Sequence, residues 1–313
     1  MKKLRNLLEG IEVISYIGNL DIDILGLSAN SKVTEEGYVF FAVKGNDLDG
    51  HEFIDGAIRN RSNCIICSII PKKIDPKICY VKVKNMRTAI NKISAKFYNY
   101  PSKKLRVIAV TGTNGKTSIV YFLYQFLLLI NKKVGMLSTI ENKIKDKSIS
   151  SSLTTPDPIE INKLMSEMVN TGMEYCVMEA SSHAIDQIRI SGSDVYVAIF
   201  SNISHDHLDY HKTFLNYINT KKKLFDELSK NSFSIINNDD KRADYIIQNS
   251  KSKIINYSVK SISENKAKII EKTVEGMLVE IDDHKVSLGV IGEFNLYNIL
   301  SVYVFSKILK IDK

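Results

Sequence analysis

The residues best suited to chemistry lie in Val107-Ile-Ala-Val-Thr-Gly-Thr-Asn-Gly-Lys-Thr-Ser118. A β-branched strand runs into a glycine-rich turn and then into a helix. Gly112 and Gly115 let the backbone approach a phosphate closely, and amides at the helix start point toward it. Lys116 supplies a point charge, and Thr117 offers a hydroxyl to magnesium. The general phosphate loop has four residues between its two glycines. Only Thr113 and Asn114 separate them here, which turns the reading away from the general ATPases and kinases. The plain alternative is a glycine turn without a ligand. Gly-Lys-Thr placed after a strand and opening a helix argues against it.

Other residues carry chemistry less specifically. Glu179 ends an apolar run, at the strand end where open α/β sheets bind ligands; an exposed strand-end carboxylate is the alternative. Three histidines crowd into His205-Asp-His-Leu-Asp-Tyr-His211, although a histidine in such a cluster is more often a polar surface or core residue. Lys221 opens the triplet Lys221-Lys222-Lys223, which alone reads as a solvated helix face. Arg189 has planar donors suited to a carboxylate. Ser181 or Ser182 could simply open a helix. Asn295 and Asn298, one helical turn apart, can project from one face. Cys64-Ile-Ile-Cys67 has the spacing of a zinc half-site, but it sits in an apolar run that reads as a buried strand, and no second pair matches it.

The elements that must position these groups follow from periodicity. Tyr38 to Gly45 reads as a strand, Asp49-Gly50 as a turn and Phe53 to Arg61 as a short helix, which together make a small α/β unit. A helix from Arg87 to Tyr98 leads into Tyr100-Pro101-Ser102-Lys103-Lys104, a break in periodicity that marks a domain boundary. Beyond it come a strand at 106–110, a helix at 116–131, a strand at 134–138, a helix at 158–170, and strands at 175–179 and 195–201. This alternation predicts a mostly parallel sheet with helices on both faces. Strands at 277–281 and 285–290 flank an Asp282-Asp283-His284 turn, and 294–309 reads as a final amphipathic helix. The fold class is α/β, with an N-terminal domain at 1–102 and a phosphate-loop domain at 103–313.

Composition removes several function classes. The 313 residues are 44% hydrophobic, enough for two cores. The net charge of +8 would suit nucleic acid or anionic lipid, yet the lysines are scattered in pairs such as Lys72-Lys73 and Lys132-Lys133, so no nucleic-acid partner is expected. Four cysteines are too few for a disulfide scaffold of this size. No apolar run is long enough for a signal peptide or a membrane span, so a soluble, cytoplasmic protein without a membrane partner is expected.

Thr111-Gly-Thr-Asn-Gly-Lys-Thr117 resembles the loop of the Mur ligases and of the similar folylpolyglutamate synthetases. Thr154-Thr-Pro-Asp157, Met178-Glu-Ala-Ser-Ser-His183 with Gln187 and Arg189, Asn202 to His211, and Gly292-Glu-Phe-Asn-Leu-Tyr-Asn298 follow in an order similar to the Mur branch that adds the third residue of the peptidoglycan stem. Asn30-Ser-Lys32, Gly37 to Gly45 and Asp49-Gly-His51 look like the family's uridine-nucleotide module. The family commonly has Asp-Ser-Arg where Asn30-Ser31-Lys32 stands here, so a bidentate guanidinium fork is lost.

The resemblance implies an ATP- and Mg2+-dependent ligase. It would join diaminopimelate, lysine or ornithine to UDP-N-acetylmuramoyl-L-alanyl-D-glutamate through an acyl-phosphate, as a monomer. It further implies that Gly112, Thr113, Asn114, Gly115, Lys116, Thr117 and Ser118 hold the phosphates and that Asn295 and Asn298 hold adenine. Thr117 and Glu179 would hold one magnesium. His207 and a carbamylated Lys221 would approach a second, so that Lys116, Glu179, His207 and Lys221 carry the catalysis. Ser31, Asn46, Asp47 and Leu48 would contact the uridine diphosphate. Thr154, Thr155, Ser181, Gln187 and Arg189 would bind the muramoyl-dipeptide.

The family also has a third domain that binds the free amino acid, and the chain is expected to stop short of it and to turn over little alone. Two readings from different classes stay open: a ligase or a two-domain portion of one, and a non-catalytic nucleotide-binding module or remnant. A folylpolyglutamate-type ligase is a third, disfavoured by the uridine-type module.

Overall fold

The computed structural model describes residues 2–45, 48–151 and 153–311. It divides into two compact units, one of Met1–Pro101 with Asp157–Ser166 and Gln187–Arg189, the other of Ser102–Pro156, Glu167–Asp186 and Ile190–Lys313.

The first unit is built on a five-stranded sheet. Gly26–Ser28, Tyr38–Phe41, Cys64–Cys67 and Cys79–Val83 run parallel, and Val13–Ile17 closes one edge antiparallel. Side chains alternate across the pleat, and both faces are apolar. Val39, Phe41, Cys64, Ile66 and Val81 pack with Ala89, Ile90 and Ile93 of the helix Met86–Phe97. Phe40, Ile65, Cys67 and Tyr80 pack with Ile54 and Ala57 of the helix Ile54–Arg59. The Cys64-to-Cys67 run is thus a core strand with all four residues buried, and burial pushes the Cys67 thiol up to about 11.

The second unit holds an 11-stranded sheet. Its centre is a parallel series in the spatial order Val134–Leu137, Tyr175–Glu179, Arg106–Thr111, Val195–Phe200, Phe233–Asn237, Lys253–Ser258 and Asn265–Lys272. An antiparallel hairpin flanks each end, Glu141–Ile144 with Lys147–Ser150 on one side and Met277–Ile281 with His284–Leu288 on the other. The helices Lys116–Leu129 and Glu293–Ile308 share one core with Ile108, Val110, Val177 and Ile199, and Phe126 meets Phe305 edge-on at 6.3 Å. Phe200 points to the opposite face and meets Phe225 of the helix Phe214–Asp226.

The strand Tyr175–Glu179 and the helix Pro158–Asn170 have the bounds read from periodicity. The last hairpin differs. Asp282 and Asp283 both have positive φ, at 46° and 63°, the geometry of a two-residue hairpin turn of primed type. His284 therefore belongs to the strand, paired with Ile281, and not to the turn.

Leu123 is fully buried between the phosphate-loop helix and the sheet. Leu123→Ala is expected to destabilise the chain by about 3 kcal/mol through lost burial and a residual cavity, read as a lowered urea midpoint at unchanged m-value.

Candidate active site

The site is built at the ends of three neighbouring strands of the second unit. Arg106–Thr111 delivers the glycine loop, Tyr175–Glu179 delivers Glu179, and Val195–Phe200 delivers Ser201 and Asn202. Gly112 has φ +158°, and a side chain there would overlap the Ser201 hydroxyl. Gly115 has φ +86°, and a Cβ would stand 2.5 Å from Asn298 Oδ1. Both positions require glycine for space as well as for conformation.

Asn202 and Ser201 pin the loop. The Thr113 amide donates to the Asn202 carbonyl at 2.9 Å, and the Asn114 amide donates to Asn202 Oδ1 at 3.0 Å. The Asn114 carbonyl accepts from Ser201 Oγ at 2.6 Å and from Asn202 Nδ2 at 3.0 Å. Thr113 Oγ1 accepts from the Ser204 amide at 2.9 Å and lies 3.1 Å from the Tyr217 hydroxyl. Lys116 folds back over its own loop, with Nζ donating to Gly112 O at 2.9 Å and to Thr113 O at 2.8 Å. Burial lowers its pKa, against the opposing pull of Glu179 and Asp206.

Glu179 is only 1% exposed, which removes the reading of a solvated strand end. Its Oε1 accepts from Thr117 Oγ1 at 2.9 Å and from the Thr139 amide at 2.8 Å. Its Oε2 is buried with no hydrogen-bond partner. A bare buried carboxylate oxygen is costly, and beside a phosphate loop it fits a hard, oxygen-seeking cation such as magnesium. Among the described residues no group of three or more His, Cys, Asp or Glu is arranged for a metal. A magnesium here would take few protein donors, as magnesium bound with substrate phosphates does.

Lys221 is 1% exposed, so the solvated-face reading of the triplet holds only for Lys223. Lys222 is buried against Asp226 at 2.5 Å. Lys221 Nζ donates to Gly112 O at 2.9 Å and lies over the Tyr217 ring at 4.7 Å. Burial first, and then Lys116, drives its pKa well below the usual lysine value, with Asp206 opposing. His207 is half exposed with φ +51°, 3.5 Å from Asp206 and edge-on to His183 at 4.9 Å between ring centres. His205 stacks instead on Phe214 at 4.2 Å. His211 is buried, and desolvation followed by His183 lowers its pKa.

A cavity of about 600 Å³ opens beside the loop, lined by Asn114, Gly115, Ser118, Ser201, Asn202 and Asn237 and by Glu293, Phe294, Tyr297 and Asn298 of the last helix. The expected asparagine pair is divided. Asn298 lines the cavity; Asn295 does not, but donates to Ile291 O at 2.9 Å and accepts from Asn298 Nδ2 at 3.3 Å. Asn295 thus holds the Asn298 amide with its oxygen while its own amide satisfies a carbonyl one turn back.

Thr155 Oγ1 donates to the Glu179 carbonyl at 2.8 Å and accepts from the Ser181 amide at 3.1 Å. Ser181 Oγ accepts from the Ala184 amide at 3.2 Å, so it caps the following helix. Thr154 is half-buried beside Thr155. Gln187 and Arg189 fall in the first unit, where Gln187 Oε1 accepts from Arg189 Nε at 3.1 Å and Nη2 at 2.7 Å. Also in the first unit, the Ser31 carbonyl accepts from Asn60 Nδ2 at 2.7 Å, and Leu48 is exposed. Asn46 and Asp47 lie outside the described residues.

Sequence reasoning singled out neither Ser201, Tyr297, Phe294 nor Asn237 as site residues. Asn202, Phe294 and Tyr297 stood inside quoted motifs without a role, and Tyr217 was assigned none. Their placement depends on contacts across strands, which periodicity does not encode.

Residues 110–305 match the Mur ligase middle domain. The chain is 42% identical over 301 residues to the UDP-N-acetylmuramoyl-L-alanyl-D-glutamate--2,6-diaminopimelate ligase of Bacteroides fragilis, covering 96% of this chain and 62% of that protein. It is 41% identical over 312 residues to the same-named ligase of Cytophaga hutchinsonii, covering 99% of this chain and 64% of that protein. A solved structure of a ligase of that name superposes with a TM-score of 0.83 at 23% identity, over 99% of this chain and 64% of the other. The MurF ligase of Thermotoga maritima, solved in complex with ADP, gives a TM-score of 0.64 at 21% identity, over 92% and 64% of the two chains. These two structural likenesses establish the fold. The chain therefore spans less than two thirds of the length of these curated relatives. With most of its residues inside the family match, and with the glycine loop, Glu179 and the 600 Å³ cavity all falling within it, the chain belongs to the Mur ligase family.

Proposed function

We propose that the chain carries the ATP-binding and UDP-substrate-binding parts of a cytoplasmic, monomeric ligase that joins diaminopimelate to UDP-N-acetylmuramoyl-L-alanyl-D-glutamate with ATP. Diaminopimelate, among the three candidate amino acids, is the one in the names of the relatives. The observation that carries the reading is the buried Glu179 carboxylate, with one oxygen bonded to Thr117 and the other bare, beside a glycine loop whose Gly112 carbonyl accepts from two lysines.

The chemical problem is to bring a substrate carboxylate to a triphosphate. Two unit charges about 4 Å apart repel by roughly 4 kcal/mol at an effective dielectric of 20. Lys116 would release its loop carbonyls and turn to the phosphates, while the loop amides and the helix N-terminus accept the same charge. Thr117 and Glu179 would hold magnesium, which when bound neutralises phosphate oxygens. Burial and a neighbouring cation lower the Lys221 pKa, which favours the neutral amine that carbon dioxide attacks, and its carbamate with His207 would serve a second magnesium. Thr155, Ser181, Gln187 and Arg189 would orient the dipeptide, and Ser31 with residues 46–48 the uridine diphosphate. Ser118 and Asn298 would face the nucleotide.

Isothermal titration of the chain with magnesium-ATP is expected to give saturable heat, weakened at least tenfold in Lys116→Ala. Heat that is absent, or unchanged in that variant, would reject the reading. Glu179→Gln is expected to retain the fold and to lose most of the magnesium dependence of nucleotide binding, compared by titration with and without the metal.

Lys221 also yields a stability prediction. Its pKa is lower folded than unfolded, so unfolding takes up a proton and stability rises with pH between the two values. The penalty is full below the folded pKa and gone above the unfolded value near 10.5. In buffer depleted of carbon dioxide, Lys221→Met is expected to be more stable at pH 7 by about 1 kcal/mol, the advantage shrinking as pH approaches 10.5. Urea midpoints across pH measure it.

A further inference from the structure

Asp239 stands just beyond the strand Phe233–Asn237 and takes no part in the site described above. Its Oδ1 accepts from the Ser261 amide at 2.7 Å. Its Oδ2 accepts from the Val259 amide at 2.7 Å, the Lys260 amide at 2.8 Å and the Tyr297 hydroxyl at 2.8 Å. One carboxylate thus ties together the end of a central strand, the 259–261 turn and the last helix. Burial alone would raise its pKa, but the Ser261 side chain and the three amides hold it well below the usual carboxylate range.

What Asp239 fixes is part of the cavity wall. Tyr297 lines the space beside the glycine loop, and so does Asn237, whose Nδ2 donates to the Ser201 carbonyl at 2.7 Å and whose Oδ1 accepts the Asp239 amide at 3.1 Å. The same turn reaches the cavity rim again through Lys260, 2.9 Å from Glu293. Asn114 and Gly115 of the glycine loop line the cavity, and so do the aromatic residues Phe294 and Tyr297 of the last helix. A Tyr hydroxyl held by a carboxylate leaves its ring in one orientation, and a fixed ring can pack on a flat heterocycle.

We propose that Asp239 is a positioning residue for nucleotide binding: without touching the ligand, it holds Tyr297 as the wall on which the base end of a nucleotide rests. This rests on the nucleotide-site reading above. Asp239 bonds Tyr297 directly and reaches the loop through Asn237 and Ser201, so its effect is greatest at the base end.

The test compares magnesium-ADP with magnesium-tripolyphosphate, which has the phosphates but no base, by titration calorimetry of wild type, Asp239→Asn, Tyr297→Phe and the double variant. Each single variant is expected to weaken ADP about tenfold, equivalent to about 1.4 kcal/mol, while tripolyphosphate stays within about twofold. The double variant should lose no more than the weaker-binding single variant, since both changes break one link. Equal loss for both ligands would mean general loosening and would overturn the inference, as would unchanged ADP affinity in Tyr297→Phe, which keeps the ring and decides the matter should Asp239→Asn not fold. A wild-type chain that binds neither ligand would instead overturn the nucleotide-site reading and the inference with it.

Discussion

Two lysine amino groups converge on one carbonyl oxygen: Lys116 and Lys221 both donate to Gly112 O at 2.9 Å. Both are largely removed from water, and each makes the other's charge more costly. Such an arrangement is unfavourable by itself, and the surrounding fold holds the loop carbonyl and Lys221 in place. Gly112 is fixed by its close approach to Ser201 and Asn202, Lys221 by its helix and the Tyr217 ring, and Glu179 is fixed nearby. The free energy of packing a large sheet is therefore partly used to hold cations and a half-satisfied carboxylate in place before any ligand arrives, which is preorganisation in the electrostatic sense.

The sheet explains why these groups can meet. Arg106–Thr111 lies between Tyr175–Glu179 and Val195–Phe200, so segments far apart in sequence leave the sheet side by side. Parallel order places all three strand ends on the same edge, the edge at which ligands bind in open α/β folds. The helix from Glu293 then packs against the helix that follows the loop, bringing Asn298 to Gly115. One core thus sets both walls of the cavity.

Much of this was legible because it is local. The glycine loop, its lysine and its threonine are consecutive, and the strands around them are mostly apolar runs buried on both faces, so pattern and chemistry coincide. Glu179 was legible as the terminal residue of such a run, though its burial was not. The hairpin Glu141–Ile144 with Lys147–Ser150 went unread, because Glu-Asn-Lys-Ile and Lys-Ser-Ile-Ser carry little apolar alternation and are held by pairing to a neighbour. Lys253–Ser258 went unread too, and it belongs to the sheet by its pairing with Phe233–Asn237. In the site, Ser201, Tyr297 and Asn237 act through contacts across dozens of residues, which leave no trace in spacing. Asn295 lies one helical turn from Asn298, as its spacing predicts, and its side chain bonds both Asn298 and the Ile291 carbonyl.

The two hairpins that flank the parallel strands have an outcome for the behaviour of the chain in crowded solution. A row of open amides along a long apolar strand is a template for joining another molecule. Here the outermost strands are short and polar, Lys147–Ser150 on one side and His284–Leu288 on the other, with Lys145, Lys147 and Lys285 set at or beside them. Lysines at such borders discourage the pairing of one molecule's edge strand with the next.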